Sequence, residues 1–90
     1  MKSIKDIKIY NNFGKTADNL TVVFPWDKNP RNGYVAMIAM SAEPFHPQGI
    51  CQHSEGTDGP HLGKRISYVD LNDDCAKVIL MELAAYNSKN

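Results

Sequence analysis

Pro44-Phe45-His46-Pro47-Gln48-Gly49-Ile50-Cys51-Gln52-His53-Ser54-Glu55-Gly56-Thr57-Asp58-Gly59-Pro60-His61-Leu62-Gly63-Lys64 is the stretch on which the reading of this chain turns. It holds all three histidines, three of the five prolines and four of the six glycines. A connection of that length in a small domain is either functional or disordered. Phe45, Ile50 and Leu62 are apolar anchors of a kind that disordered segments lack, so residues 44–64 read as one long ordered loop. Within it His46, Gln48, Gln52 and His53 are expected to satisfy backbone groups, while Pro47, Gly49 and Gly56 set the turns.

Three strands precede the loop. Lys5-Asp6-Ile7-Lys8-Ile9-Tyr10 alternates with period two, which predicts a half-buried strand whose lysines suit a sheet edge. Leu20-Thr21-Val22-Val23-Phe24 is rich in β-branched and aromatic residues and is expected to stop at Pro25, which has no N–H for a ladder. Asp27 to Gly33 is a turn, with Asn32-Gly33 able to supply the positive φ that closes a hairpin. Tyr34-Val35-Ala36-Met37-Ile38-Ala39-Met40 is apolar on both faces, as a central strand would be. Trp26 and Tyr34 beside that turn are either lids on a small core or a recognition patch.

After the loop, Lys64-Arg65-Ile66 reads as a short extended piece and Ser67 to Asp70 as a single capped turn. Asn72-Asp73-Asp74 offers an N-cap and two acids in the first turn, so the spacing predicts a helix from about Asp73 to Tyr86. Cys75, Val78, Ile79, Glu82, Leu83 and Tyr86 share one face. Leu80 and Met81 widen the apolar surface and imply that the helix is heavily covered. Asn87-Ser88-Lys89-Asn90 is expected to fray. The fold class is therefore α+β: a small antiparallel meander of three or four strands packed against a C-terminal helix, in one domain spanning 1–90.

Composition narrows the function. Ninety residues suit one modest core, and ten basic residues balance ten acidic ones for zero net charge. That balance argues against nucleic acid, whose partners usually carry a basic field. No stretch has the roughly 18 to 20 apolar residues of a membrane span, and Met1 to Tyr10 alternates where a signal peptide would be apolar. A cytoplasmic protein is expected, with Cys51 and Cys75 as free thiols.

Leu20-Thr21-Val22-Val23-Phe24-Pro25, Pro44-Phe45-His46-Pro47-Gln48-Gly49, Gln52-His53, His61-Leu62-Gly63-Lys64-Arg65-Ile66 and Asp70-Leu71 together resemble a family of small uncharacterised bacterial proteins, many of them carried by phages and plasmids. The resemblance runs from about Ile9 to Leu83 and implies a mobile-element setting without naming an activity. In that pattern glycine often stands at the position of Cys51 and proline at that of Asn72. The first difference weighs against any role that needs the Cys51 thiol.

Gly14-Lys15-Thr16 is not a phosphate loop, because Ile9 stands where that motif needs its first glycine and a strand follows in place of a helix. His46, Cys51, His53 and His61 are ligand types that zinc accepts, yet their gaps match no common zinc spacing. Alternation would put Cys51 and His53 on one side of an extended chain, where they could pair as nucleophile and base. The leading expectation is a small binding or accessory protein, with no cofactor, acting on an unidentified protein or ligand. His46, Gln48, Gln52, His53, Glu55, His61, Lys64 and Arg65 are its candidate binding residues. The alternative is a metal-binding protein or metal-dependent enzyme using His46, His53, His61 and possibly Cys51.

Overall fold

The computed structural model describes residues 1–88. Five strands form one antiparallel sheet: β1 (Lys8–Asn11), β2 (Leu20–Lys28), β3 (Val35–Met40), β4 (Cys51–Gly56) and β5 (Lys64–Ile66), followed by helix α1 (Asp73–Asn87). The spatial order is β4-β3-β2-β1-β5. The first three strands are the expected meander in chain order, β4 extends it beside β3, and β5 returns to the free side of β1. The sheet thus has five strands rather than three or four. β1 is interior rather than an edge, because Lys64–Ile66 covers it.

Residue alternation sorts the two faces. Ile9, Leu20, Val22, Phe24, Ile38 and Met40 meet Cys75, Val78, Ile79 and Leu83 of α1 in the main core. Tyr10, Val23, Val35 and Met37 point the other way and form a second, smaller cluster against Leu62. The expected helix face is correct in its centre. Heavy cover all round is not, since Leu80 and Met81 stand 52% and 57% exposed. One sheet face can bury only the stripe of a helix that touches it.

α1 begins where its cap predicts: the Asn72 side chain accepts from the Cys75 amide at 2.9 Å and donates to the Ala42 carbonyl at 2.8 Å. It ends one residue later than expected. Asn87 is not frayed, for its side chain exchanges two hydrogen bonds with the Lys2 backbone, at 2.8 and 2.9 Å. The other residues of the expected tail, Lys89 and Asn90, lie outside the described residues.

The end of β2 moved for an identifiable reason. β2 runs through Pro25, and its register against β3 shifts between Phe24 and Lys28. Val23 pairs with Lys8, the first residue of β1, so the missing N–H of Pro25 faces no strand and costs no ladder bond. The extra residues carry Trp26 into a cluster with Phe24 and Tyr86, ring centroids 5.1 to 5.6 Å apart, where it acts as a lid. Tyr34 stays exposed.

The larger correction concerns residues 44–64. This stretch is not one loop. Residues 51–56 are β4, paired in unbroken register with β3 from Met40↔Cys51 to Val35↔Gly56. Cys-Gln-His-Ser-Glu-Gly contains no β-branched or aromatic residue, so propensity carries no strand signal; the ready-made edge of β3 imposes the conformation. Residues 57–63 then cross the second face of the sheet from one edge to the other, through a short 3-10 turn at Pro60–Leu62. Gly63 ends the crossing with φ near 126°, and a Cβ there would press on the Asn11 backbone, so only glycine brings β5 in beside β1.

Candidate functional site

The eight sequence-selected residues fall in three places. His46 and Gln48 belong to a tight turn at 43–50. Its carbonyl of Glu43 accepts from the His46 amide at 3.2 Å, the His46 carbonyl from Gly49 at 2.8 Å, and the His46 Nδ1 from the Gln48 amide at 3.0 Å. His46 thus organises backbone as expected. Gln52, His53 and Glu55 lie on β4, and His61, Lys64 and Arg65 at the opposite edge of the sheet.

On β4, register with Met40, Ile38 and Ala36 puts Cys51, His53 and Glu55 on the face that carries α1, while Gln52 points to the other. His53 is not a backbone organiser. Its Nε2 lies 3.1 Å from a carboxylate oxygen of Glu82 on α1, and its side chain is 70% exposed. The backbone groups it was expected to serve are met instead by pairing with β3. Glu55 accepts weakly from Asn32 at 3.3 Å and Asn29 at 3.5 Å, both in the β2–β3 turn. Asp27 at the end of β2 and Asn29 and Pro30 of that turn face His53 and Glu55 across an open cleft. The Glu82, Asp27, Asn29 and Asn32 side chains were not among the candidates. Glu82 had a visible signal, an acid on an otherwise apolar helix face; the turn residues had none, since only pairing brings them to β4.

Burial, then the Glu82 carboxylate, pushes the Cys51 thiol above its ordinary range. Burial does the same for Cys75, helped by Asp74. A nucleophilic cysteine needs the reverse, a thiolate favoured by nearby positive charge. His53, on the same face, has its Nε2 held by Glu82.

His46, Cys51, His53 and His61 are not gathered. Only Cys51 and His53 share a strand face; His46 sits in the preceding turn and His61 on the crossing segment, with Nε2 3.4 Å from the Thr57 hydroxyl. Among the described residues no three His, Cys, Asp or Glu side chains come together to hold an ion. The Gly14-Lys15-Thr16 segment is a turn whose Gly14 and Lys15 amides both donate to the Asn12 side chain at 3.1 Å.

The third place contains the strongest polar cluster. Asp58, on the crossing segment, accepts from Lys8 Nζ at 2.7 Å and from the Tyr10 hydroxyl at 2.6 Å, and the Arg65 guanidinium lies 5.6 Å from the Tyr10 ring centre. Burial works to raise the Asp58 carboxyl, but hydrogen bonds from Lys8 and Tyr10 outweigh it and hold it below the usual range. The bond to Asp58 raises Lys8; burial, then Asp58, raises Tyr10. These groups satisfy one another and clamp the crossing to the sheet. Arg65 lies over the Tyr10 ring at the side of this clamp, and both it and Lys64 are exposed.

Comparison with family models, curated proteins and solved structures returned no match. Among the described residues no helix is long and apolar enough to cross a membrane.

Proposed function

We propose that the chain is a non-catalytic binding module, a small cytoplasmic accessory protein of a mobile element, that engages its partner through β4 and the adjoining cleft. The observation that carries this reading is β4 itself. It is an edge strand of six residues whose side chains, Cys51 to Glu55, are exposed in sequence. Natural edges are usually shortened, bulged, covered, or studded with lysine or proline, because an open edge templates another strand. β4 has none of these protections; its single acid is Glu55. The raised thiol of Cys51, with the Glu82 carboxylate as its charged neighbour, supports binding over catalysis. The mobile-element setting rests on the family resemblance.

The test is affinity capture from a bacterial lysate, comparing wild type with a Gln52→Ala, His53→Ala, Glu55→Ala triple variant whose circular dichroism matches it. A protein or ligand held by wild type and lost from the variant is the expected result. Identical capture by both would exclude β4 as the binding surface.

A further inference from the structure

Building on that reading of β4, we infer that the occupant of the edge is a second copy of this chain, paired antiparallel about Ser54, so that His53 of each copy faces Glu55 of the other.

The hydrogen-bond parity of the sheet sets which groups are free. The Ser41 amide donates to the Ile50 carbonyl at 2.9 Å, one step beyond the Met40↔Cys51 pair. Hydrogen-bonded pairs alternate along an antiparallel ladder, so Gln52, Ser54 and Gly56 turn their backbone groups toward β3. On the β2 side, the Asn29 amide donates to the Tyr34 carbonyl, which places even-numbered residues of β3 toward β2 and agrees with this phase. Cys51, His53 and Glu55 consequently direct N–H and C=O groups out of the sheet at the open edge.

The two edges differ. β5 has three residues, two of them Lys64 and Arg65, and by the same alternation only Arg65 turns its backbone outward. β4 offers three outward residues in unbroken extended chain. β4 is thus the edge open to pairing.

The spacing of His53 and Glu55 selects the occupant and the register. His53 and Glu55 lie two residues apart on the same face, either side of Ser54. A two-fold axis at Ser54 therefore sets His53 opposite Glu55 of the second copy and repeats the pair by symmetry, as an isologous contact requires. The two would be hydrogen-bonded partners with Cα atoms about 5.5 Å apart, where a protonated His53 ring, with Nε2 on Glu82, has its Nδ1–H left to donate to the Glu55 carboxylate of the second copy. His53 uses Nε2 on Glu82, and no partner is recorded for its Nδ1 among the described residues. Centring the pairing on His53 instead would face histidine with histidine and Cys51 with Glu55. Both copies of α1 end on one face of a continuous sheet. A contact of about five residues per strand is smaller than a standard interface, so association is concentration-dependent.

Sedimentation equilibrium and disulfide trapping test this. From about 10 μM to about 1 mM, the weight-average mass of wild type should climb from 10.1 kDa toward twice that value. Glu55→Lys, which sets lysine against His53 at both pairs, should weaken the dimer about tenfold. It changes an exposed side chain, and unchanged circular dichroism separates lost pairing from lost folding. In a Cys51→Ser background, Ser54→Cys should form a reducible dimer on mild oxidation. Facing residues of a non-hydrogen-bonded pair sit about 4.5 Å apart, within disulfide range. Gln52→Cys, on the same strand face but out of register with its copy, should crosslink far more slowly. A chain that stays monomeric at 1 mM, a dimer unaffected by Glu55→Lys, or equal crosslinking at the two positions would each overturn the inference. If the chain is monomeric while lysate capture still depends on Gln52, His53 and Glu55, the second copy falls and the binding reading of β4 stands. If neither association nor capture depends on these residues, both fall.

Discussion

The Asp58 carboxylate accepts a 2.6 Å hydrogen bond from the Tyr10 hydroxyl across 48 residues of chain, fastening the segment between β4 and β5 to β1. Tyr10 is only 5% exposed, so Asp58→Ala leaves a covered hydroxyl without its acceptor and should cost about 1 to 3 kcal/mol. The pH dependence follows from the shifts. Asp58 is held below its ordinary 3.8, so its contribution is complete above that value and is lost as pH falls through the folded one. Tyr10 and Lys8 are raised above 10.0 and 10.5, so theirs are complete below those values and are lost as pH rises through the folded ones. Wild type and Asp58→Ala should therefore differ most between pH 3.8 and 10.0 and converge at both extremes. Urea midpoints measured across pH check this; a constant difference would mean that the clamp carries no charge-linked stability.

Ile79 is fully buried between α1 and the sheet, whereas Leu80 is half exposed one position along. Ile79→Ala should cost about 2 to 5 kcal/mol, and Leu80→Ala about 0.5 kcal/mol or less. Chemical denaturation of the two variants reads the helix orientation directly. Similar losses would mean that α1 does not turn Ile79 to the sheet and Leu80 away from it.

The phase of β4 predicts an alternating pattern in hydrogen exchange. Amides of Gln52, Ser54 and Gly56, turned toward β3, should be protected, while those of Cys51, His53 and Glu55 should exchange rapidly in dilute monomer. His53→Ala should leave the pattern intact and change stability by about 1 kcal/mol or less, because its one contact lies at an exposed surface. Uniform coil-like exchange over 51–56 would remove the strand itself.

The separation of His46, Cys51, His53 and His61 makes a claim about metals. Zinc at a structural site contributes folding free energy, so its removal lowers the melting temperature markedly. The melting temperature of the purified protein should be unchanged by EDTA. A drop of many degrees would bring the four-residue ligand set back into play.

Local pattern in this sequence was enough for α1, its Asn72 cap, the three apolar strands and the Asn32-Gly33 hairpin. In each case the signal lies in a few neighbouring residues: a capping side chain, a period of 3.6 or 2, a run of β-branched side chains, a glycine at positive φ. β4 was illegible because Cys51 to Gly56 has no strand propensity of its own and takes its form from hydrogen bonds to β3. The candidate site followed the same division. His46 serves its own turn through the backbone two residues on, which is local and was foreseen. The partners of His53, Glu55 and Tyr10 are Glu82, Asn32 and Asp58, and sequence distances of 29, 23 and 48 residues hid them. Short-range sterics and hydrophobic periodicity are written along the chain. The pairing of a polar strand, the fifth strand beside β1 and the meeting of remote charges depend on which surfaces remain open once the core has closed, and only the tertiary structure decides that.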